Sequence, residues 1–130
     1  YCDYETNGSV PIYAPTDGTV VFKQKYRDTK DGKKLSSYGN YVEFTSSDKV
    51  YKVKCCHLSS FYNVNVTIKS SLSYPCSGSA GTLTLASKTV KQGELLGYTG
   101  YTGNASGHHL HLEAYKNGKA VDPIKVFSTW

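Results

Sequence analysis

Two histidines two residues apart, His109 and His111, have the types and spacing to do chemistry in this 130-residue chain. They lie in a segment, His109 to Tyr115, whose apolar and polar residues alternate, and this alternation predicts a half-buried β-strand. Residues i and i+2 of a strand share a face, so both imidazoles lie on one side with Cα atoms about 6–7 Å apart. One imidazole can then bind a metal ion while the other contacts the metal's water. The spacing alone equally fits two exposed or hydrogen-bonded histidines.

The rest of the chain has the periodicity of a sheet protein that can position such a strand. Asn117-Gly118, within Lys116 to Lys119, is a favoured pair in tight hairpin turns, and no long window shows a helical stripe. We predict one all-β domain over residues 1–130, with antiparallel sheets forming a two-layer or barrel-like body and a groove along one sheet. The other strand candidates are Thr19 to Tyr26, Tyr41 to Thr45, Val50 to His57 and Glu94 to Tyr98.

Two segments read as loops that flank this groove and select what fits into it. Asp28 to Ser37 is charged and contains a glycine. Ser59 to Ser87 is rich in Ser, Thr, Tyr and Asn, and it is too long for an ordinary connection. We therefore predict a long loop insertion near residues 59–87, within which Thr82 to Ala86 is a candidate strand.

Charge and hydropathy narrow the classes of partner. The chain has 15 basic and 10 acidic residues and a net charge of +5, which favours polyanions such as nucleic acid, an anionic membrane or the acidic polymers of a bacterial wall. Only charge points to nucleic acid, so we predict no nucleic-acid partner. No apolar run approaches the roughly 20 residues of a membrane helix. No signal peptide is visible, so the chain reads as a mature or trimmed fragment.

The cysteines Cys2, Cys55, Cys56 and Cys76 are even in number, which favours an oxidising, extracellular compartment and disulfides. No Cys-x-x-Cys spacing is present, which argues against a finger-type zinc site. Cys55 and Cys56 are neighbours on a strand candidate, so we expect their side chains on opposite faces. Three pairings of four cysteines are possible, and reduced, buried thiols are the alternative.

A glycine-rich run precedes the histidine pair in a specific order. Val90 to Gly97 is followed by the loop Tyr98 to Gly107, and the strand His109 to Glu113 comes next. This run resembles the C-terminal motif of the lysostaphin/LytM-type (M23 family) zinc metallopeptidases. Cys56 to Ser59 and the segment from Asp3 to Val21 resemble the family's other two motifs, in the family's order.

The resemblance implies a secreted, cell-wall-associated zinc endopeptidase that hydrolyses peptide cross-links of bacterial peptidoglycan. It implies that Asp3 and His111 are metal ligands, and that His109 and His57 hold and polarise the catalytic water. Zinc accepts carboxylate and neutral imidazole ligands. Anionic wall polymers are a further expected partner, because the chain is basic.

The first family motif is incomplete in this sequence. The family has a histidine ligand four positions before the aspartate, and that position falls upstream of Tyr1. Two interpretations remain: an active enzyme whose motif is cut, or a catalytically degenerate binding, scaffold or regulatory module at the cell surface. No other histidine is an evident substitute; the four are His57, His108, His109 and His111.

Several residues near the motifs have two readings. Glu113 either orients a histidine or faces solvent, and we expect His108 to be structural or exposed. Tyrosines offer apolar area and a hydroxyl to a bound peptide, or they are ordinary strand residues. The groove candidates are Tyr41, Tyr51, Tyr98 and Tyr101.

Overall fold

The computed structural model describes the backbone of residues 2–5, 9–70, 78–103 and 109–123, and side chains within 9–70, 78–103 and 110–123. These residues form nine β-strands, which confirms the all-β prediction. The strands are β1 (Cys2–Glu5), β2 (Pro11–Tyr13), β3 (Gly18–Thr29), β4 (Gly32–Ser46), β5 (Tyr51–Phe61), β6 (Ala80–Val90), β7 (Leu95–Thr99), β8 (His109–Lys116) and β9 (Lys119–Val121).

The sheet is antiparallel and branches at β5. Its main path runs β1-β8-β5-β4-β3-β6, while β7 pairs with both β5 and β2, and β9 pairs with β8. The first half of β5 pairs with β8, and its second half pairs with β7. The apolar core joins the main sheet to the β2–β7 branch, because Ile12 and Leu96 belong to the same buried cluster as Phe22 and Phe44.

Two expected loops are shorter than the sequence indicated. Asp28 to Ser37 is not a loop, because β3 and β4 continue to a tight turn between Thr29 and Gly32. The charged residues pair across this hairpin, with Lys33 Nζ 2.6 Å from Asp28 Oδ1. Both ends of the expected insertion at 59–87 belong to the strands β5 and β6. The connection between these two strands therefore occupies 62–79. Thr82 to Ala86 does lie in a strand, β6.

The turn between β8 and β9 matches the sequence prediction. Asn117 and Gly118 have φ values of 50° and 82°, and the flanking Lys116 and Lys119 are paired. Positive φ at both central residues belongs to the type I′ turn, whose twist fits an antiparallel hairpin. This turn fixes the register of the strand that carries the histidines.

Cys55 and Cys56 are both buried and free. As expected, they face opposite ways: Cys55 belongs to the apolar core, and Cys56 lies opposite His111. Cys2 and Cys55 flank Leu112 on the two strands beside β8. Two strand spacings separate them, about 10 Å, beyond the roughly 7 Å Cα limit of a disulfide. The side chain of Cys2 and all of Cys76 lie outside the described residues, so a disulfide involving these two stays a prediction.

Within the described ranges, no helix has the length and apolar character needed to cross a bilayer.

Candidate active site

Two of the four predicted site residues, Asp3 and His111, lie in one row of the sheet. On β1 and β8, Asp3 lies directly opposite His111, and Glu5 lies opposite His109. On the other side of β8, His111 lies opposite Cys56. Positions directly opposite in an antiparallel pair share a face of the sheet. The backbone register therefore places the two expected metal ligands, Asp3 and His111, on one face of adjacent strands.

His57 reaches the same area because β5 contains a bulge. Between the pairs Val42–Cys55 and Asn40–Leu58, β5 advances three residues while β4 advances two. The extra residue lets Cys55 and Leu58 both enter the core. His57 takes the strained conformation of the bulge, with φ of 63°, which a non-glycine residue rarely adopts. Its ring centroid is 5.9 Å from that of His111.

The carbonyl of Thr102 holds the His57 ring from the loop after β7. The distance from His57 Nδ1 to this oxygen is 2.7 Å. A carbonyl only accepts, so Nδ1 is the donor, and the neutral ring carries its lone pair on Nε2. Thr102 is itself anchored, because its Oγ1 donates to Leu58 O at 2.7 Å. The ring thus has a fixed tautomer and orientation while it is neutral.

Two glycines allow this loop to approach β4. Gly39 and Gly103 have φ values of 62° and 74°. An ideal Cβ on Gly103 would lie 2.5 Å from Gly39 N, and one on Gly39 would lie 2.5 Å from the Thr102 carbonyl carbon. Both the conformation and the space therefore require glycine, and the contact sets the position of the Thr102 carbonyl.

Glu113 is the polar centre beside His111. Its Oε2 lies 2.8 Å from His111 Nε2, and its Oε1 accepts from the Tyr115 hydroxyl at 2.7 Å. The Tyr38 hydroxyl also donates to this carboxylate. Burial opposes the ionisation of Glu113, but the hydrogen bonds from Tyr115, His111 and Tyr38 outweigh it and hold the pKa below its ordinary value. Of the two interpretations of Glu113, the structure supports the one in which it orients a histidine, because its carboxylate contacts His111.

Two tyrosines complete this arrangement. The ring of Tyr38 stacks on His111 with centroids 6.0 Å apart and planes at 28°. Burial, followed by the bond to Glu113, raises the pKa of Tyr38. The bond to Glu113, followed by burial, raises the pKa of Tyr115 to about 12. Both hydroxyls therefore stay protonated and able to donate at neutral pH. We name Tyr38, His111, Glu113 and Tyr115 the tyrosine–carboxylate cluster.

Most of the tyrosines expected to line the groove lie outside the tyrosine–carboxylate cluster. Tyr41 makes an edge-to-face contact with Tyr38, with centroids 5.3 Å apart. Tyr101 is exposed, and Tyr98 lies on the β2–β7 branch. Tyr115 was missed although its two-residue periodicity with His111 and Glu113 signals a shared face. Tyr38 and Thr102 carry no such signal. Tyr38 lies at an irregularity of β4, between the positive φ values of Ser37 and Gly39, and Thr102 lies in a loop.

His111 and His57 are the expected site residues whose side chains are described. For Asp3 and His109 the structure gives backbone positions. In the part of the chain that is described, no three His, Cys, Asp or Glu residues form a group suited to a metal ion. The donor types in the row nevertheless suit zinc, since carboxylate and neutral imidazole are among its usual ligands.

Comparison with known proteins supports the resemblance found in the sequence. Residues 77–123 match Peptidase family M23. An uncharacterized metalloprotease of Haemophilus influenzae is 31% identical over 124 residues, which is 95% of this chain and 20% of that protein. A DD-carboxypeptidase/endopeptidase of Neisseria meningitidis is 46% identical over 41 residues, 32% of this chain and 10% of that protein. The chain therefore spans a fifth or less of these relatives.

The fold matches that of a known peptidase domain. The catalytic domain of the antimicrobial peptidase lysostaphin from Staphylococcus simulans aligns with a TM-score of 0.58 and 25% identity, covering 98% of this chain and 77% of that domain. Together with the match to residues 77–123, this similarity confirms the resemblance to the lysostaphin/LytM-type peptidase domain.

Proposed function

We propose, with an M23-type peptidase domain as the premise, that residues 1–130 form the catalytic domain of a zinc endopeptidase that hydrolyses peptide cross-links of bacterial peptidoglycan. The observation that carries the proposal is the row in which Asp3 lies opposite His111, with the His57 ring 5.9 Å from the His111 ring. A carboxylate and an imidazole on one face, beside a second imidazole, suit metal-assisted hydrolysis.

Asp3 and His111 would hold the zinc ion; the position of the family's third ligand, a histidine four residues before the aspartate, falls upstream of Tyr1. Nε2 of His111 faces Glu113, so His111 would bind through Nδ1. A carboxylate on the far nitrogen of a zinc-binding histidine fixes its tautomer and raises its basicity. When bound, zinc supplies a Lewis acid that lowers the pKa of a bound water toward about 7.

His57 and His109 would handle protons and the developing negative charge. Because His57 Nδ1 donates to Thr102 O, the neutral ring offers Nε2 as an acceptor for a proton from the attacking water. That proton can then pass to the leaving amine of the cleaved peptide. His109, two residues before His111 on β8, would donate to the oxyanion of the tetrahedral intermediate, and fixed donors stabilise such charge.

The name of one relative and the net charge support this substrate class. One relative is named a DD-carboxypeptidase/endopeptidase, and bonds between D-residues are a feature of wall peptides. The net charge of +5 would favour binding near anionic wall polymers. A secreted, wall-associated location fits both.

Wall digestion together with metal analysis tests the proposal. The protein is expected to bind about one zinc ion per chain and to release soluble peptides from purified walls. His57→Ala should lower the rate by about a hundredfold or more, while His111→Ala should lose the metal. A protein that binds walls but releases no peptide, with a non-ligand residue four positions before Asp3, would instead be the non-catalytic module.

A further inference from the structure

A chain of buried and partly buried hydrogen bonds connects the loop after β5 to the His57 ring. It begins at Gln24, whose side chain is fully buried in β3. Gln24 Nε2 donates to Ile68 O at 2.8 Å and to Asn40 Oδ1 at 2.7 Å. Its Oε1 accepts from the backbone nitrogens of Thr67 and Ile68 at 3.3 and 3.1 Å. The four bonds use the full capacity of the amide and fasten the loop to the sheet.

Asn40 carries the connection across β4 to β5. Its Nδ2 donates to Leu58 O at 3.0 Å, and its backbone nitrogen donates to Thr102 Oγ1 at 3.1 Å. Thr102 Oγ1 in turn donates to the same Leu58 oxygen. The carbonyl of Thr102 then accepts from His57 Nδ1. The path therefore runs Ile68–Gln24–Asn40–Thr102–His57 without a break.

This path follows one row of the sheet at which the register changes. Gln24 lies opposite Asn40, Asn40 opposite Leu58, and Leu58 opposite Thr99. In each of these pairings the register shifts immediately beyond this row. Bulges re-aim side chains, and the one in β5 is the bulge that presents His57. The network thus spans the irregular backbone on which the ring depends.

Stability alone does not account for polar side chains at these positions. Phe22 precedes Gln24 on the same face of β3, and Val42 follows Asn40 on the same face of β4; both are fully buried. An apolar residue of similar size would extend this core, and replacing all partners of a buried polar group can be nearly neutral. Amides specify one arrangement, because each partner must meet a donor or an acceptor.

We propose that Gln24 and Asn40 are positioning residues for His57, and that the segment 62–70 sets the orientation of this ring through them. The inference rests on the proposed function insofar as it assigns His57 a role in hydrolysis. Substrate contacts that shift segment 62–70 would reach His57 through the same bonds.

Two variants interrupt the path at opposite ends. Gln24→Met keeps the length of the side chain and removes all four bonds to its amide. Thr102→Val keeps the shape and removes the hydroxyl, and Thr102→Ser restores it. Ser46→Ala is the matched control, because Ser46 is also buried and hydrogen-bonded, to Asp48 at 2.6 Å, but at the end of β4 beside the turn to β5. If Gln24→Met does not fold, Thr102→Val still tests the path.

The first measurement is the tautomer of the neutral His57 ring, read from its ¹⁵N shifts in long-range ¹H–¹⁵N spectra. His57→Gln assigns the signals. The wild type and Ser46→Ala should show the Nδ1–H form, while Gln24→Met and Thr102→Val should raise the Nε2–H fraction. The second measurement is kinetic: both variants should lower kcat by about tenfold, the effect of about 1.4 kcal/mol, with KM within about twofold. Thr102→Ser should recover most of the loss.

The outcomes separate this inference from the proposed function. If Gln24→Met lowers the melting temperature as Ser46→Ala does but leaves the His57 tautomer unchanged, Gln24 is structural and the inference is wrong. An altered tautomer with unchanged kcat also overturns it. If His57→Gln keeps full activity, the proposed catalytic role of His57 fails, while the tautomer data still decide whether the path exists.

Discussion

His111 Nε2 lies 2.8 Å from Glu113 Oε2, and this single contact fixes what the imidazole can offer a metal. Glu113 is held ionised by its three hydrogen bonds, so it accepts and His111 donates from Nε2. The lone pair of the neutral ring is therefore on Nδ1. The predictions below begin with this contact.

Glu113→Gln should weaken zinc binding by about 10- to 100-fold, the usual cost of losing such an orienting carboxylate. Chelator competition measures the affinity. Glu43→Gln is the control, because Glu43 is a carboxylate on β4, two strands from β8, and pairs with Lys23 at 3.0 Å. Equal zinc affinity in the wild type and Glu113→Gln would contradict the assigned contact.

Tyr38→Phe and Tyr38→Leu separate the two contacts of Tyr38. The first removes the hydroxyl bond to Glu113, and the second also removes the ring that stacks on His111. We expect a zinc affinity about threefold lower for Tyr38→Phe and a larger loss for Tyr38→Leu, since a hydrogen bond to a charged group contributes about 1.5–3 kcal/mol before the remaining donors compensate. Tyr62→Phe, at an exposed position, should have no effect. Equal losses for the two Tyr38 variants would mean that the ring contact contributes nothing.

Acid should destabilise the protein partly through Glu43. Burial opposes its ionisation, but the hydrogen bond and charge of Lys23, aided by Lys54, lower its pKa below the ordinary 4.5. A lowered folded-state pKa contributes stability above the unfolded value, and this stability is lost as pH falls through the folded value. Urea unfolding between about pH 6 and 3 should show a weaker pH dependence in Glu43→Gln than in the wild type. Lys23→Met should also flatten the curve; an unchanged slope in both variants would refute the assignment.

Cys55 and Cys56 should resist thiol reagents in the native protein. Both are buried and free, and burial raises the pKa of each thiol, so little of the reactive thiolate forms. Alkylation followed by peptide mass spectrometry should label both only after unfolding. A native disulfide that involves either residue would contradict the structure.

The sequence predicts the fold where local periodicity governs it. The alternation around His111 predicts β8, and Asn117-Gly118 predicts its hairpin turn, because both signals are local. The bulge at His57 and the irregularity of β4 at Tyr38 could not be predicted. Their positive φ values fall on His57 and Ser37 as well as on Gly39, and only the surrounding sheet can impose such strain on non-glycine residues. The prediction of a loop at Asp28 to Ser37 was wrong. These residues pair in the β3–β4 hairpin, and this pairing depends on the rest of the sheet, which local sequence does not reveal.

The bulge in β5 also gives this strand two phases. Up to Cys55 the odd-numbered residues face the core, and after the extra residue the even-numbered Leu58 does so. The number of residues between Cys55 and Leu58 thus determines where the His57 imidazole lies. Deleting Cys56 would remove the extra residue, bring the two halves back into phase and abolish the bulge that now sets the direction of the His57 ring. The amino-acid composition would hardly change. The site therefore depends on the number of residues along β5 as well as on their identity.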